Sequence, residues 1–386
     1  MEKVKLGDVC EIINGYAFKS NLYEENGIRI IRITNVQKGY IEDTEPKFYN
    51  LNLKRELNKY MLYEKDLLIS LTGNVGRVGI LKKEMLPAAL NQRVGCIRVL
   101  NKSRLDKNYL FNALNNKLFE NECINNSKGI AQKNLSTEWL KEYKINLPSL
   151  EEQKNIANKL DKVQKIIDIR KKQIEELDKL IKSQFVEMFG KKAYDKKCLN
   201  DISVIKGEYG SGAYAGEYID GMPRYIRITD IQEDGKLNNT SIVSPKNENN
   251  LEKYTLSYGD ILFARTGATV GKTYKYSEED GYCIYAGYCI RFRLDLTKVN
   301  PDYIFIFTKT EEYKRWVTNK QRIVAQPNIN AKEYGNDLLI PIPPIELQNQ
   351  FADIVKQIDK QKFEIQKSLE EMQKLQESLM NKYFGG

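Results

Sequence analysis

From Ser149 to Met188 neither Pro nor Gly interrupts the chain, and apolar residues recur at heptad spacing. One heptad column holds Leu160, Ile167, Ile174, Ile181 and Met188 and is wholly apolar. The other holds Ile156, Val163, Arg170, Leu177 and Gln184 and is broken twice. That pattern predicts a long amphipathic helix. Ser149 followed by Glu152, directly after Pro148, has the spacing of a capping box at its start. A second such segment closes the chain, but there the columns exchange character. Phe351, Ile358, Ile365, Met372 and Leu379 form the unbroken column, and Val355, Lys362, Leu369, Gln376 and Tyr383 the broken one. By homologous position, the unbroken column of one helix matches the broken column of the other. A parallel pair would mix apolar and broken positions in every layer. An antiparallel pair sets the two unbroken columns against each other as the seam, so the sequence predicts an intramolecular antiparallel coiled coil. At 1.5 Å per residue each helix is about 55–60 Å long.

The regions before the helices carry strand patterns instead. IRIIRITNV, from Ile28, and RYIRITDI, from Arg224, alternate Ile with Arg or Thr, as a half-buried strand does. DLLISLTGNVGRVG from Asp66 and DILFARTGATVGKT from Asp260 each read as a strand running into a Gly-rich turn. GCIRVL at Gly95 and YCIRFRL at Tyr288 add another strand pair, and each head opens on a short apolar-polar unit, LGDVCEI at Leu6 or LNDISVI at Leu199. YLFNALNNKLFENEC and DYIFIFTKTEEYKRWV have helical patterns. Much of the first half returns in the second. LPSLEEQ at Leu147–Gln153 becomes IPPIELQ at Ile342–Gln348, and Phe189-Gly190 becomes Phe384-Gly385, both at an offset of 195 residues. A fixed internal period means two copies of one structural unit. The expected fold is α+β: two heads of mixed, mainly antiparallel sheet plus helices, joined by the coiled coil. The expected segments are a first head over 1–148, a first helix over 149–190, a second head over 191–344 and a second helix over 345–386. Antiparallel packing of two repeats implies an internal pseudo-twofold, with the heads at opposite ends of a rod. Such a rod suits a ligand with two short sites a fixed distance apart, as duplex DNA offers at helical-repeat spacing.

Charge points the same way. The chain carries 61 Lys+Arg against 52 Asp+Glu, and the excess is concentrated in residues 1–148, at 24 against 17, while the helices are nearly balanced. Excess positive charge on a globular head suits a polyanionic partner. Histidine is absent, which removes the commonest general base and metal ligand. No metal site is expected. The six cysteines form no CxxC and do not repeat between halves, consistent with reduced thiols in a cytoplasmic protein. No run of about 18 apolar residues suggests a membrane span. TGNVGR and TGATVGK lack P-loop spacing. A glycine turn does let backbone approach a phosphate, and Arg77 and Lys272 recur just beyond it.

The duplicated LPSLEEQ-type entry to a long helix, together with the LTG and RTG strand-turns, resembles the specificity subunits of type I restriction–modification systems. The resemblance covers essentially the whole chain. It implies two target-recognition domains, each reading one half of a split site in double-stranded DNA, with the helices fixing the gap. It also implies partners: two DNA-methyltransferase subunits that bind S-adenosylmethionine and methylate adenine, and a motor/nuclease subunit that uses ATP. No cofactor is expected on this chain. Pro344 stands where the first copy has Ser149, and Leu347 where it has Glu152, so the second helix is expected to start differently. The residues themselves offer no catalytic machinery. IPPI at Ile342 lacks the polar and aromatic residues of an adenine-methylating tetrapeptide, and Asp302, Glu311, Glu312 and Lys314 read as a solvated helical face rather than a nuclease cluster. The alternatives are a coiled-coil scaffold with peptide-binding heads, or the recognition module of a different class of methyltransferase.

Bases are read by Arg, Lys, Gln and Asn at groove edges, and phosphates are held by basic and amide groups. In the first head SKGIAQKNLS offers Lys128, Gln132, Lys133 and Asn134; its counterpart QRIVAQPNIN offers Arg322, Gln326 and Asn328. NQRVG adds Gln92 and Arg93, placed opposite Tyr285, Ala286 and Gly287 of the second head. Arg265 and the GEYGSGAY loop, with Tyr209, Ser211 and Tyr214, are further candidates in the second head, and Arg32 and Arg227 lie on the matched strand.

Overall fold

The computed structural model describes residues 2–129, 133–247, 249–321 and 327–385. It divides into two compact units, one made of residues 1–171 with 367–386, the other of 172–366. Each long helix therefore contributes to both units, where the sequence pattern assigns whole helices to segments of their own.

In the first unit, strands Cys10–Asn14, Val94–Val99, Leu67–Ser70 and Val78–Ile80 form an antiparallel run, extended by a parallel edge strand at Gly39–Tyr40. A second sheet holds Phe48–Tyr49, Ile28–Ile31, Ala88–Leu90 and Met61–Leu62, again mixing parallel and antiparallel pairs. The second unit repeats the plan with Ser203–Tyr209, Cys289–Leu294, Asp260–Ala264 and Thr273–Lys275 as an antiparallel sheet, and Arg224–Ile226 parallel to Cys283–Tyr285. In both heads an Asp at the strand entrance anchors an Arg on the neighbouring strand. Arg98 holds Asp66 through Nε (3.1 Å) and Nη2 (2.7 Å), and Arg293 holds the wholly buried Asp260 with two bonds of 2.8 Å. Planar guanidinium–carboxylate pairing satisfies a carboxylate that burial would otherwise penalise.

Two expected elements are shorter than their patterns. The strand from Ile28 ends at Ile31, and that from Arg224 ends at Ile226. A side-chain oxygen ends each: Asn35 Oδ1 accepts from Arg32 N at 2.9 Å, and Asp230 Oδ2 from Arg227 N at 2.8 Å, turning the chain where the alternation would continue it. The helical span near Tyr109 is two helices, Lys107–Leu114 and Lys117–Asn125, because Asn116 caps the second through Phe119 N. Its counterpart likewise splits into Pro301–Phe307 and Glu311–Gln321.

The long helices run Leu150–Phe189 and Ile345–Phe384. Ser149 Oγ accepts from Glu152 N at 3.2 Å, which supplies one arm of the expected capping box. The pairing is antiparallel within each unit. In the first, Gln376 Nε2 donates to Gln164 Oε1 at 2.7 Å, and Ile156, Ala157 and Leu160 share a core with Leu379, Met380, Tyr383 and Phe384. In the second, Lys362 pairs with Asp178, and Ile181, Phe185 and Phe189 share a core with Phe351, Val355 and Ile358. The expected seam sets Leu160, Ile167, Ile174, Ile181 and Met188 against Phe351, Ile358, Ile365, Met372 and Leu379. Leu160 shares a core with Leu379 in the first unit, and Ile181 and Met188 with Phe351 and Ile358 in the second. All ten of these seam residues are buried or half-buried.

A buried glutamine fixes each helix to its head. Gln153 has no exposed surface; its Oε1 accepts from Asp106 N (2.8 Å), and its Nε2 donates to Arg104 O (3.0 Å) and Pro148 O (2.9 Å). Gln348 does the same, accepting from Asn300 N (2.9 Å) and donating to Pro343 O (2.7 Å). Truncating either side chain strands buried backbone groups. We expect Gln348→Ala to cost about 2 kcal/mol, read as a lowered denaturant midpoint at unchanged slope. Gln350→Ala, at an exposed position of the same helix, should stay within about 0.5 kcal/mol of the parent. Equal effects from the two would remove the glutamine from this role.

Candidate nucleic-acid interface

Four loops meet on each head, joined by the same backbone bonds. In the first head the loop after Cys10–Asn14 brings Tyr16 beside Asn91: Tyr16 N donates to Leu90 O (2.8 Å), and Gln92 N to Tyr16 O (2.9 Å). Leu71 N donates to Arg93 O (3.0 Å), and Gly73 N to Lys133 O (2.9 Å), which ties the glycine turn to the two remaining loops. In the second head Ser211 N donates to Tyr285 O (2.9 Å) and Gly287 N to Ser211 O (2.7 Å). Arg265 N donates to Tyr288 O (3.1 Å), and Gly267 N to Pro327 O (3.1 Å). The loops approach so closely that glycine is required. A Cβ on Gly15 would lie 2.1 Å from Asn91 O, and one on Gly210 2.4 Å from Ala286 O. At the turn itself Gly73 (φ +69°) and Gly267 (φ +65°) face open space, with nothing within 4 Å of where a Cβ would stand.

In the first head Gln92, Arg93, Lys128, Lys133 and Asn134 are all exposed and lie on these loops. Lys128 and Asn134 exchange backbone bonds of 2.9 and 2.8 Å, holding the ends of their loop together. In the second head Asn328 bridges Thr266, and Arg265 Nε donates to Asn328 Oδ1 at 3.4 Å. The Arg265 guanidinium also lies over the Tyr209 ring, 4.7 Å from its centroid. Tyr214 is 80% exposed. Gln132, Arg322 and Gln326 lie outside the described residues.

Other expected readers have structural work. Ser211 is only 1% exposed, and its Oγ accepts from Ala213 N at 3.0 Å, so its side chain shapes the loop instead of facing a ligand. Arg227 forms a two-point ion pair with buried Asp230, through Nε (3.0 Å) and Nη2 (2.7 Å), which holds its pKa above the ordinary arginine value. Arg32 donates through Nη2 to Glu45 O at 2.8 Å, with Asn35 in the position of Asp230. Arg77 Nη1 donates to Gln37 Oε1 (2.9 Å), and Lys272 Nζ pairs with Glu233 Oε1 (3.0 Å). Each thus braces a neighbouring loop. The pairing between heads also shifts by one residue from the sequence alignment: because Tyr16 bridges Asn91 and Ser211 bridges Ala286, Gln92 matches Gly287 and Arg93 matches Tyr288. Tyr285 is fully buried, and Tyr288, which residue type alone did not single out, is 62% exposed.

Residues 1–179 and 191–375 both match the type I restriction modification DNA specificity domain. The chain belongs to this family. It is similar to the EcoBI specificity subunit of Escherichia coli, at 26% identity over all of this chain and 85% of that protein. It is also similar to the StySPI subunit of Salmonella potsdam, at 23% over 98% of this chain and 87% of that one. The MjaVIII subunit of Methanocaldococcus jannaschii is 33% identical over 46% of this chain and 43% of its own length. The crystal structure of the type I S subunit from M. genitalium superposes with a TM-score of 0.62 at 16% identity, covering 99% of this chain and 96% of that one. The fold is thus that of a type I specificity subunit, and its function is sequence-specific DNA recognition. No helix among the described residues is long and apolar enough to cross a membrane, and none of their His, Cys, Asp and Glu side chains cluster to hold a metal.

The two kinds of arginine should separate by stability. Arg227→Ala leaves buried Asp230 unpaired and should destabilise the protein by about 2 kcal/mol. Arg93→Ala, at an exposed loop position, should leave the denaturant midpoint within about 0.5 kcal/mol of the parent. The reverse order in denaturant titration would exchange their assignments.

Proposed function

We propose that each head reads one half of a split DNA site through its four-loop surface, while the two long helices set the gap between the halves. The same helices dock two DNA-methyltransferase subunits, which bring S-adenosylmethionine and methylate adenine. A motor/nuclease subunit joins them and uses ATP. This chain does no chemistry of its own.

One observation carries the reading. The four loops are joined by matching backbone bonds in both heads, yet their side chains differ: Gln92 against Gly287, Arg93 against Tyr288, Lys133 against Pro327. A constant frame with exchanged donors is what two different half-sites require. Open space above Gly73 and Gly267 supports backbone approach to a phosphate there.

The test is to co-express this chain with its methyltransferase partner and map adenine methylation by long-read sequencing. A split motif with one fixed gap is expected. In the same assay Arg93→Ala should relax one half of the motif and leave the other intact. A stable complex that adds no methylation would overturn the proposal. Binding that barely changes with salt would instead favour a peptide-binding scaffold, since phosphate contacts release counterions and weaken steeply with log salt.

A further inference from the structure

One bond of the four-loop surface joins the strand that enters the glycine turn to the strand that follows the loop at Asn91 or Ala286. It pairs Leu71 with Arg93 in the first head and Arg265 with Tyr288 in the second. Each pair contains one arginine, but on opposite strands. In the first head the turn-side residue, Leu71, is buried and Arg93 is exposed. In the second the turn-side residue is the arginine, and Tyr288 takes the exposed place.

Arg265 is held more firmly than an ordinary surface arginine. One face of its guanidinium lies 4.7 Å from the Tyr209 ring centroid, and its Nε donates to Asn328 Oδ1 at 3.4 Å. Tyr209 is itself fixed, because its hydroxyl accepts from Ala331 N at 3.1 Å. Asn328 is fixed by its bridge to Thr266. These contacts take up one face and the Nε corner, and the Nη1–Nη2 edge has no hydrogen-bond partner among the described residues, which leaves it as the donor pair for a ligand. Two coplanar donors match the O6 and N7 acceptors that guanine alone presents together in the major groove. Holding the fork in place before binding lowers the entropy lost on contact.

We propose that each head reads a guanine with the single arginine of this pair, Arg93 for one half-site and Arg265 for the other. Tyr209 and Asn328 act as positioning residues for Arg265. The proposal rests on the heads being the DNA readers, and it assigns the base class to be found in each half.

Motif mapping and duplex binding by the complex of this chain with its methyltransferase subunits test it. Each half of the wild-type motif should contain a G·C pair. At the pair read by the second head, Arg265→Ala removes both donors, and discrimination should fall about tenfold to a hundredfold. Arg265→Lys, which keeps the charge but loses the planar fork stacked on Tyr209, should fall between that variant and the parent. Substituting 7-deazaguanine at that position should weaken wild-type binding about tenfold and leave Arg265→Ala nearly unaffected. Tyr209→Leu should reduce discrimination at the same pair only, whereas a merely structural role would weaken all sequences alike. A split motif with no G·C pair in the half-site assigned to the second head would overturn this proposal and leave the two-head reading standing. So would full discrimination by Arg265→Ala with binding weakened alike on all sequences, which would make Arg265 a phosphate contact. Absence of any split motif would instead remove the two-head reading itself.

Discussion

Both heads depend on a buried side-chain amide at the neck. A glutamine with no solvent access cannot leave its donors and acceptor unmet without a cost of a few kcal/mol. Gln153 and Gln348 meet theirs with backbone at the start of the head helix, Lys107–Leu114 or Pro301–Phe307, and with the proline carbonyl before their own helix. That bonding fixes how each long helix leaves its head. The residue whose N–H reaches the amide, Asp106 or Asn300, is also the N-cap of the head helix. One side chain therefore joins the origins of two helices. The head helix then carries a tyrosine, Tyr109 or Tyr303, whose hydroxyl bonds the strand just before the neck, at Asn146 O (2.8 Å) or Pro341 O (2.7 Å). Its ring meets the far end of the other long helix: Tyr109 lies 5.4 Å from Phe384, and Tyr303 lies 4.8 Å from Phe189. The first head completes its core with the distant segment 379–384, whereas the second closes its core within one continuous stretch that starts on the preceding helix. The repeated Phe-Gly at the end of each helix, which reads in the sequence only as a sign of duplication, is the plug of the opposite repeat's core.

Sequence periodicity carried the helices well because an exchanged column pattern has one simple geometric solution. Alternation of Ile with Arg and Thr overran the strands at Ile28 and Arg224, since a local hydrogen bond to Asn35 or Asp230 outcompetes strand extension and leaves no mark in a hydropathy pattern. The duplicated glutamine was visible in LPSLEEQ and IPPIELQ, but its burial was not, because glutamine at a helix start usually faces water. The loop candidates were legible by residue type, but which of them carry structural contacts was not. Ser211 and Arg227 have the chemistry of DNA contacts, but burial and an acidic partner commit them to the fold. The register between heads also escaped the alignment. The second glycine turn has one residue more than the first, TGATVGK against TGNVGR, so a single offset cannot serve both sides of it.

The contrast between framework and surface gives the molecule its logic. Asp66–Arg98 and Asp260–Arg293, the neck glutamines and the close-approach glycines recur with the same partners in both heads. The ion pairs and the glutamines bear the cost of burial, so changing one partner alone strands a charge or an amide, and a side chain on either close-approach glycine would collide with backbone. Side chains at the loop tips bear no such cost. Exchanging Arg93 for a tyrosine, or Lys133 for a proline, alters what the surface offers without unpairing anything beneath it. A scaffold that separates its buried polar network from its reading edge can vary specificity at little expense in stability. Arg265 is the instructive exception. It sits on the turn side, where its counterpart Leu71 is buried, and Tyr209 and Asn328 hold its half-buried guanidinium in place. Where a cation moves from loop tip to framework, support has to move with it, and the Tyr209 ring beside the guanidinium is that support.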